Sequence, residues 1–278
     1  MPDTSKTRRF TTGYAFSGGG SRAACQVGML RALHERGVVP ELVAGTSAGA
    51  VTAAYFALYP DNLSRLEEIW LALRTRDIFP GSRIAVLTNL LRHGHIHVAD
   101  RCERFFRSHF GSATFEDLRV PCSVVAVDLV DGRAVCLDSG EIVPALMASI
   151  AIPGVFPPYR HEGREYVDGG VLEHLPVSPF AGGRASIVYA FDCSSVSATS
   201  SRGFAVLDRT ARIGARAQAD AAASALRAGG VRVHLFRPSL PELEDARSFK
   251  QTADLIRIGY ECARDELDEA ARQSAAGA

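Results

Sequence analysis

The chain has 278 residues, and its 31 lysines and arginines balance its 31 aspartates and glutamates. That balance argues against a general polyanion binder, so we expect no nucleic-acid partner. With 47% hydrophobic and 22% charged residues, the composition is that of an ordinary globular protein. At this length such a chain can bury a large core without disulfides or a structural metal.

The sequence contains neither an obvious membrane span nor a secreted disulfide framework. No apolar run reaches the roughly 18 residues that a transmembrane helix needs. The six cysteines are scattered along the chain and form no C-x-x-C pair, which indicates reduced thiols. We therefore expect a cytoplasmic protein.

In chain order, short apolar strands alternate with helices after a loose arm at residues 1–11. The predicted strands are 13–17, 42–44, 123–127, 134–137, 165–167, 187–191 and 231–236. The predicted helices are 21–36, 48–58, 62–74, 99–110, 142–150, 209–226 and 249–271. Ser64 and Glu67 stand at capping-box spacing in the third helix, and residues 75–98 are predicted to be an irregular linker. The alternation predicts an α/β fold with a mostly parallel sheet, to which a turn at Asp131-Gly132 adds one antiparallel pair.

The sharpest local signal is the segment G-T-S-A-G, in which Gly45 and Gly49 flank Ser47. It lies between a short apolar strand and a helix that is apolar nearly all round. This is the context of a nucleophile elbow, where the serine occupies a tight, strained turn. Glycines are needed there because side chains would collide with the neighbouring strand and helix. The alternative is a glycine-rich turn with an incidental serine.

A second glycine-rich segment, S-G-G-G-S-R-A, begins at Ser17 and also joins a strand to a helix. Gly18, Gly20 and Ala23 fit the dinucleotide fingerprint G-x-G-x-x-A. That fingerprint requires an acidic residue at the end of the next strand, and Glu41 precedes that strand instead. The other interpretation is an oxyanion hole, in which loop N–H groups stabilise charge on a substrate oxygen.

A serine nucleophile needs a base, and the sequence offers two kinds. His174 or His234 could complete a Ser–Asp–His order. Asp168-Gly169-Gly170 follows a short strand, and its glycines would let the backbone approach another segment closely. Taken alone, this tripeptide is equally a plain turn.

These motifs occur together in one order: S-G-G-G-S-R-A, G-T-S-A-G, S-I-A-I-P-G-V-F-P-P (149–158) and D-G-G. In that order they resemble the patatin-like phospholipases, over about residues 12–180. The resemblance implies a three-layer α/β/α fold and a lipid acyl hydrolase with a Ser–Asp dyad. It assigns the nucleophile to Ser47, the base to Asp168 within the Gly169-Gly170 motif, and the oxyanion hole to Gly18, Gly19, Gly20 and Arg22. The family commonly has glycine at the position of Ala23 and asparagine at that of His174.

We therefore expect one domain, with core residues 12–182 and with residues 183–278 completing the same sheet and covering it. The expected activity is hydrolysis of an ester bond in a lipid without metal or cofactor, with transient contact to a membrane surface. An aspartate in a water-poor pocket is a stronger base than in bulk water. The alternatives are an esterase or acyltransferase on small substrates, which shares the Ser47 chemistry, and a nucleotide-binding regulatory domain that uses Gly18 to Ala23.

Three further segments have two interpretations each. His93, His95 and His97 alternate as metal ligands on a strand can, but they have no obvious fourth ligand, so we expect a loop or lid there. Residues 84–91 form either a lipid-facing cap or a core helix. The arginine-rich stretch 209–216 is expected to be a solvated helix face rather than a headgroup site.

Overall fold

The computed structural model describes residues 9–79, 100–195, 204–241 and 248–276. In these ranges one sheet contains β1 (Phe10–Phe16), β2 (Leu42–Thr46), β3 (Cys122–Asp128), β4 (Arg133–Leu137), β5 (Tyr159–His161), β6 (Arg164–Asp168), β7 (Ala185–Phe191) and β8 (Arg232–Phe236). The helices are α1 (Cys25–Glu35), α2 (Ala48–Leu58), α3 (Leu63–Ala72), α4 (Thr75–Ile78), α5 (Asp100–Phe110), α6 (Ile142–Ser149), α7 (Phe204–Ala228) and α8 (Thr252–Ala276). None of these helices combines the length and apolarity that crossing a bilayer requires.

The sheet is parallel over most of its width and antiparallel at one end. β1 pairs in parallel with β2 and β7, β2 with β3, and β7 with β8. β3 pairs antiparallel with β4 and with β6, and β5 pairs antiparallel with β6. The predicted α/β fold with a mostly parallel sheet is confirmed. The expectation of a single antiparallel pair is wrong, because β5 and β6 add two more.

Helices cover both faces of the sheet, since successive strand residues point to opposite sides. Tyr14 and Phe16 pack into a large core with α1, α2, α3, α5, α6 and α8. Ala15, between them, packs on the other face, where Ala219 and Leu226 of α7 close a smaller core. This arrangement is the three-layer α/β/α architecture.

Helices α1 and α8 are in direct backbone contact at two glycines. A Cβ on Gly28 would lie 1.9 Å from the carbonyl oxygen of Ile256. A Cβ on Gly259 would lie 2.0 Å from the carbonyl oxygen of Cys25. Helix α8 therefore packs directly on α1, the helix that follows the glycine-rich segment beginning at Ser17.

Three predicted boundaries differ from the structure for local reasons. β1 begins at Phe10, whose N–H donates to the Arg184 carbonyl at 2.6 Å, so the sheet takes in part of the expected loose arm. The cap of α3 is Asn62, whose side chain accepts the Arg65 N–H at 3.3 Å, so the expected capping box at Ser64 is wrong. The expected linker contains a one-turn helix, α4. Residues 84–91 lie outside the described ranges.

Candidate active site

Strands β2 and β6 meet end to end on one edge of β3. β2 pairs with the first four residues of β3, and β6 pairs with the last three. β4 pairs with residues from both stretches, so it occupies the opposite edge. Because β2 is parallel and β6 antiparallel to β3, their carboxyl ends point toward each other. Ser47, which follows β2, and Asp168, which ends β6, are brought together in this way.

Ser47 lies on a sharp turn between β2 and α2. Its backbone has φ 55° and ψ −128°, a left-handed conformation that is strained for a residue with a side chain. The flanking glycines are required by packing. A Cβ on Gly45 would lie 2.4 Å from the Cα of Ala50, and one on Gly49 would lie 2.3 Å from the carbonyl oxygen of Ser17. These are the features of a nucleophile elbow.

The Asp168 carboxylate is buried, and the Gly170 N–H donates to its Oδ1 at 2.7 Å. The Ser47 hydroxyl also interacts with this carboxylate. Burial raises the pKa of Asp168 from 3.8 to about 6, although both interactions act to lower it. Gly169 lets the segment approach β3, because a Cβ there would lie 2.4 Å from the Val125 carbonyl oxygen. The carboxylate is ionised at neutral pH and is a stronger base than one in water.

The glycine-rich loop before α1 faces the same turn. The Gly18 N–H donates to the His174 carbonyl at 3.0 Å, so it is already engaged. The N–H groups of Gly19 and Gly20 have no hydrogen-bond partner in the described part of the chain. Gly19 packs against Cys193, and Gly20 lines the cavity next to Ser47. The loop therefore has two donors left for a substrate oxygen.

Arg22 and Ala23 both lie in the 3-10 turn Gly20–Ala24, and their side chains are buried. The backbone N–H of Arg22 donates to the Gly19 carbonyl at 3.1 Å, so this N–H is already engaged within the loop. The buried alanine fits without displacing the turn. The departure from the family's common glycine at this position is therefore compatible with the loop conformation.

The described residues give little support to a nucleotide or metal site. Glu41 stands at the amino end of β2, where it accepts the Thr11 N–H at 3.1 Å. The dinucleotide fingerprint needs an acidic group at the opposite end of that strand. In the described ranges, no cluster of three or more His, Cys, Asp or Glu side chains could hold a metal ion. His93, His95 and His97 lie outside those ranges.

Of the two histidines considered as bases, His174 is near Ser47 and His234 is not. The position of a Cβ on Gly18 is 3.3 Å from His174 Nδ1 and 3.4 Å from Ser47 Cβ. His174 Nε2 lies 3.8 Å from Asp192 Oδ1, beyond hydrogen-bond distance, and has no partner among the described residues. Burial lowers the pKa of His174, which keeps it neutral. His234 belongs to β8, which β1 and β7 separate from β2.

Ser149 supports the elbow in a way that its motif does not reveal. Its hydroxyl accepts the Ser47 N–H at 2.8 Å and donates to the Val125 carbonyl at 2.6 Å. The side chain is fully buried. It therefore links the strained turn to β3. In the sequence, Ser149 is only the first residue of the segment 149–158. The pattern cannot show its role, because that role depends on contacts between segments far apart in the chain.

A cavity of about 770 Å³, mouth included, opens beside Ser47. Its walls come from α2, α3, α5, the segment after α6, and Phe249 just before α8. The lining is almost wholly apolar and rich in aromatic rings. Such a cavity accommodates hydrocarbon and excludes charged groups, which would lose their hydration without finding partners.

Comparisons with known proteins show the family to which the chain belongs. The family model described as patatin-like phospholipase matches residues 14–181. An uncharacterized NTE family protein of Mycobacterium tuberculosis is 34% identical over 176 residues, which are 63% of this chain and 47% of that protein. Lysophospholipase nte1 of Aspergillus oryzae is 24% identical over 204 residues, 70% of this chain and 12% of that protein. The chain thus spans about half the length of the mycobacterial relative and a small part of the fungal one.

Among solved structures, VipD from Legionella pneumophila has a similar fold. The TM-score is 0.53, and the match covers 94% of this chain and 67% of that one. The sequences are 16% identical. Because the match covers 94% of this chain, the similarity in fold extends beyond residues 14–181.

Proposed function

The chain belongs to the patatin-like phospholipase family, and from that premise we propose that it hydrolyses carboxylic ester bonds in lipids through an acyl-enzyme on Ser47. The observation that carries the proposal is the meeting of Ser47 and the buried Asp168 at the facing ends of β2 and β6, beside an apolar cavity. The Ser47 hydroxyl interacts with the carboxylate, and that carboxylate has a raised pKa. The cavity favours a lipid over the small esters of the alternative esterase or acyltransferase.

In the proposed reaction, Ser47 Oγ attacks the ester carbonyl carbon while its proton moves to Asp168. The negative charge that develops on the carbonyl oxygen is stabilised by the N–H groups of Gly19 and Gly20, in the segment that the family resemblance assigns to Gly18, Gly19, Gly20 and Arg22. Collapse of this intermediate breaks the bond to the alcohol, which receives the proton from Asp168.

The acyl group is then released by water. Asp168, again ionised, takes a proton from the water as its oxygen attacks the acyl carbon. The second tetrahedral intermediate collapses, the proton returns to Ser47 Oγ, and the fatty acid leaves. No metal or cofactor enters the proposed sequence of steps.

Two further aspects of the proposal rest on surface and thiol chemistry. Val171 and Leu172, directly after the Asp168 motif, are about half exposed, which suits transient contact with a membrane surface beside the site. All six cysteines are free thiols, which suits a cytoplasmic location. Neither aspect is needed for the chemistry.

The test is acyl release from phospholipids, lysophospholipids, glycerides and p-nitrophenyl esters, together with labelling by a fluorophosphonate probe. We expect labelling at Ser47. We expect Ser47→Ala and Asp168→Asn each to lower kcat by at least about 10³, because groups that act as one unit are not additive. Activity of the wild type should fall as the pH drops through about 6, where Asp168 is protonated.

His174→Ala and His234→Ala are the matched variants that distinguish a dyad from a triad. Both should keep most of the activity, since Asp168 is the proposed base and the His174 backbone carbonyl that accepts the Gly18 N–H survives the substitution. A folded but inactive His174→Ala beside an active Asp168→Asn would instead assign the base to His174. Tight nucleotide binding without labelling of Ser47 would favour the regulatory-domain alternative.

A further inference from the structure

One face of α2 forms a wall of the cavity along the full length of the helix. Ala48, Val51 and Tyr55 line it, and Ser47 stands at its amino end. Their spacing of three and four residues keeps them on one face of a helix. Eight residues separate Ser47 from Tyr55, which is about 12 Å at the rise of an α-helix. The cavity therefore extends in a straight line away from the nucleophile.

Aromatic rings close the far end of this cavity. The rings of Tyr55 and Phe110 meet edge to face with centroids 6.1 Å apart, and both residues are buried. Leu66 of α3 is also buried and also lines the cavity. Along α2 the lining changes from Ala48 and Val51, which are partly buried, to Tyr55, which is buried. The other partly buried lining residues are Gly20, Ile69, Ile78, Phe79, Phe105, His109 and Ile152. The end at Tyr55 is a wall.

From this geometry we infer that the cavity binds one straight acyl chain of about eight to ten carbons, and that Tyr55 and Phe110 set the upper limit. An extended chain advances roughly 1.2 Å per bond, as a peptide backbone does, so about 12 Å holds about ten bonds. The alcohol part of the ester stays outside, because the lining is almost wholly apolar and a charged headgroup would lose its hydration there. The inference rests on the proposed function and adds a chain-length selectivity to it.

Trp70 gives a binding assay that does not depend on turnover. It is the single tryptophan of the chain and lines the cavity, in the last turn of α3 and against Phe249 at 6.2 Å between ring centroids. Its fluorescence in the Ser47→Ala variant should respond to lysophosphatidylcholines of 4 to 18 carbons held below their micelle concentrations. Affinity should rise by up to about fourfold per methylene until the cavity is full. It should stop rising at eight to ten carbons.

Two variants move the limit in opposite directions. Tyr55→Ala removes the end wall, and we expect the ratio of kcat/KM for a 14-carbon over an 8-carbon p-nitrophenyl ester to rise at least tenfold. Val51→Phe fills the cavity one turn from Ser47, about 6 Å along the helix, and should stop the increase at five or six carbons. Tyr189→Ala truncates a tyrosine of β7 that does not line the cavity, and it should keep the wild-type profile.

The outcomes separate this inference from the proposed function. A chain-length profile that Tyr55→Ala and Val51→Phe leave unchanged would overturn the inference even if ester hydrolysis is observed. The same holds if Trp70 responds to no chain length, or if affinity continues to rise to 18 carbons. A fluorescence limit at eight to ten carbons that moves with both variants would support the inference even if no hydrolysis is found, in which case the proposed function alone fails.

Discussion

The backbone of Ser47 is left-handed, which is strained for a residue with a side chain. The hydrogen bond to Ser149 and the close packing at the two flanking glycines stabilise this geometry. We expect the free energy of unfolding of the Ser47→Gly variant to be about 1 kcal/mol higher than that of the Ser47→Ala variant. Relief of roughly 1–3 kcal/mol of backbone strain exceeds the roughly 0.5–1 kcal/mol of chain entropy that glycine loses. Both variants lack the hydroxyl, so urea unfolding of the pair isolates the backbone. An alanine variant as stable as the glycine variant would mean that the turn is unstrained.

The buried Asp168 should lower stability at neutral pH. Its pKa is about 6 in the folded state and 3.8 without burial, so the folded state binds more protons between those values. The contribution of Asp168 to the free energy of unfolding is therefore complete below pH 4, and it is lost as the pH rises through 6. Asp168→Asn removes the titration. The unfolding free energy of Asp168→Asn minus that of wild type should therefore become more positive, by up to about 3 kcal/mol, between pH 4 and pH 7. A difference that stays flat over this range would contradict the buried, high-pKa carboxylate.

The site residues differ in how far sequence could identify them. Ser47 and Asp168 stand in short motifs whose glycines are dictated by close backbone contacts, so the pattern carries the information. The engagement of Gly18 by the His174 carbonyl, and the support of Ser47 by Ser149, depend on contacts between segments far apart in the chain. No local pattern encodes such contacts.

At the scale of elements, the central helices and strands could be predicted because their apolar runs are unambiguous. α2 has the predicted bounds, and β3, β4 and β6 differ from prediction by one or two residues. β5 was missed because three residues with polar neighbours carry no periodic signal. The direction of β6 was missed too, since strand and helix alternation predicts parallel pairs. Yet the antiparallel direction is what brings Asp168 to Ser47.

The contact between α1 and α8 leads to a prediction about packing. Gly259→Ala places a methyl group against the Cys25 carbonyl oxygen, and neither helix backbone can move without disturbing the core. We expect a loss of unfolding free energy of roughly 1–3 kcal/mol, toward the upper end. Gly214→Ala is the matched control, because Gly214 is exposed within α7 and a Cβ there meets nothing within 4 Å.

The control should gain roughly 0.5–1 kcal/mol, since alanine is the better helix former. Chemical denaturation of the two variants beside wild type measures both effects. If Gly259→Ala is as stable as Gly214→Ala, the two helices are farther apart than described.

At the scale of the whole molecule, the family match ends at residue 181, but the folded unit does not. β7 pairs with β1 along almost its whole length, and α8 covers α1. A chain shortened to residues 1–181 would expose the edge of β1 and the apolar face of α1. We expect it to lack a cooperative unfolding transition and to aggregate, as judged by circular dichroism and light scattering. A cooperative transition in that fragment would show that the C-terminal part is dispensable.

Because β2 and β6 meet end to end on β3, the register of β6 decides whether the Asp168 side chain faces Ser47. A slip of β6 by one residue would keep most of its backbone hydrogen bonds but turn the Asp168 side chain to the other face of the sheet. Such a molecule would be compact and nearly native in its secondary structure, yet Ser47 would have no base. If Ser47 and Asp168 act as proposed, only chains in which β3 has aligned both partners correctly turn over substrate, and misaligned chains are inactive rather than altered in their chemistry.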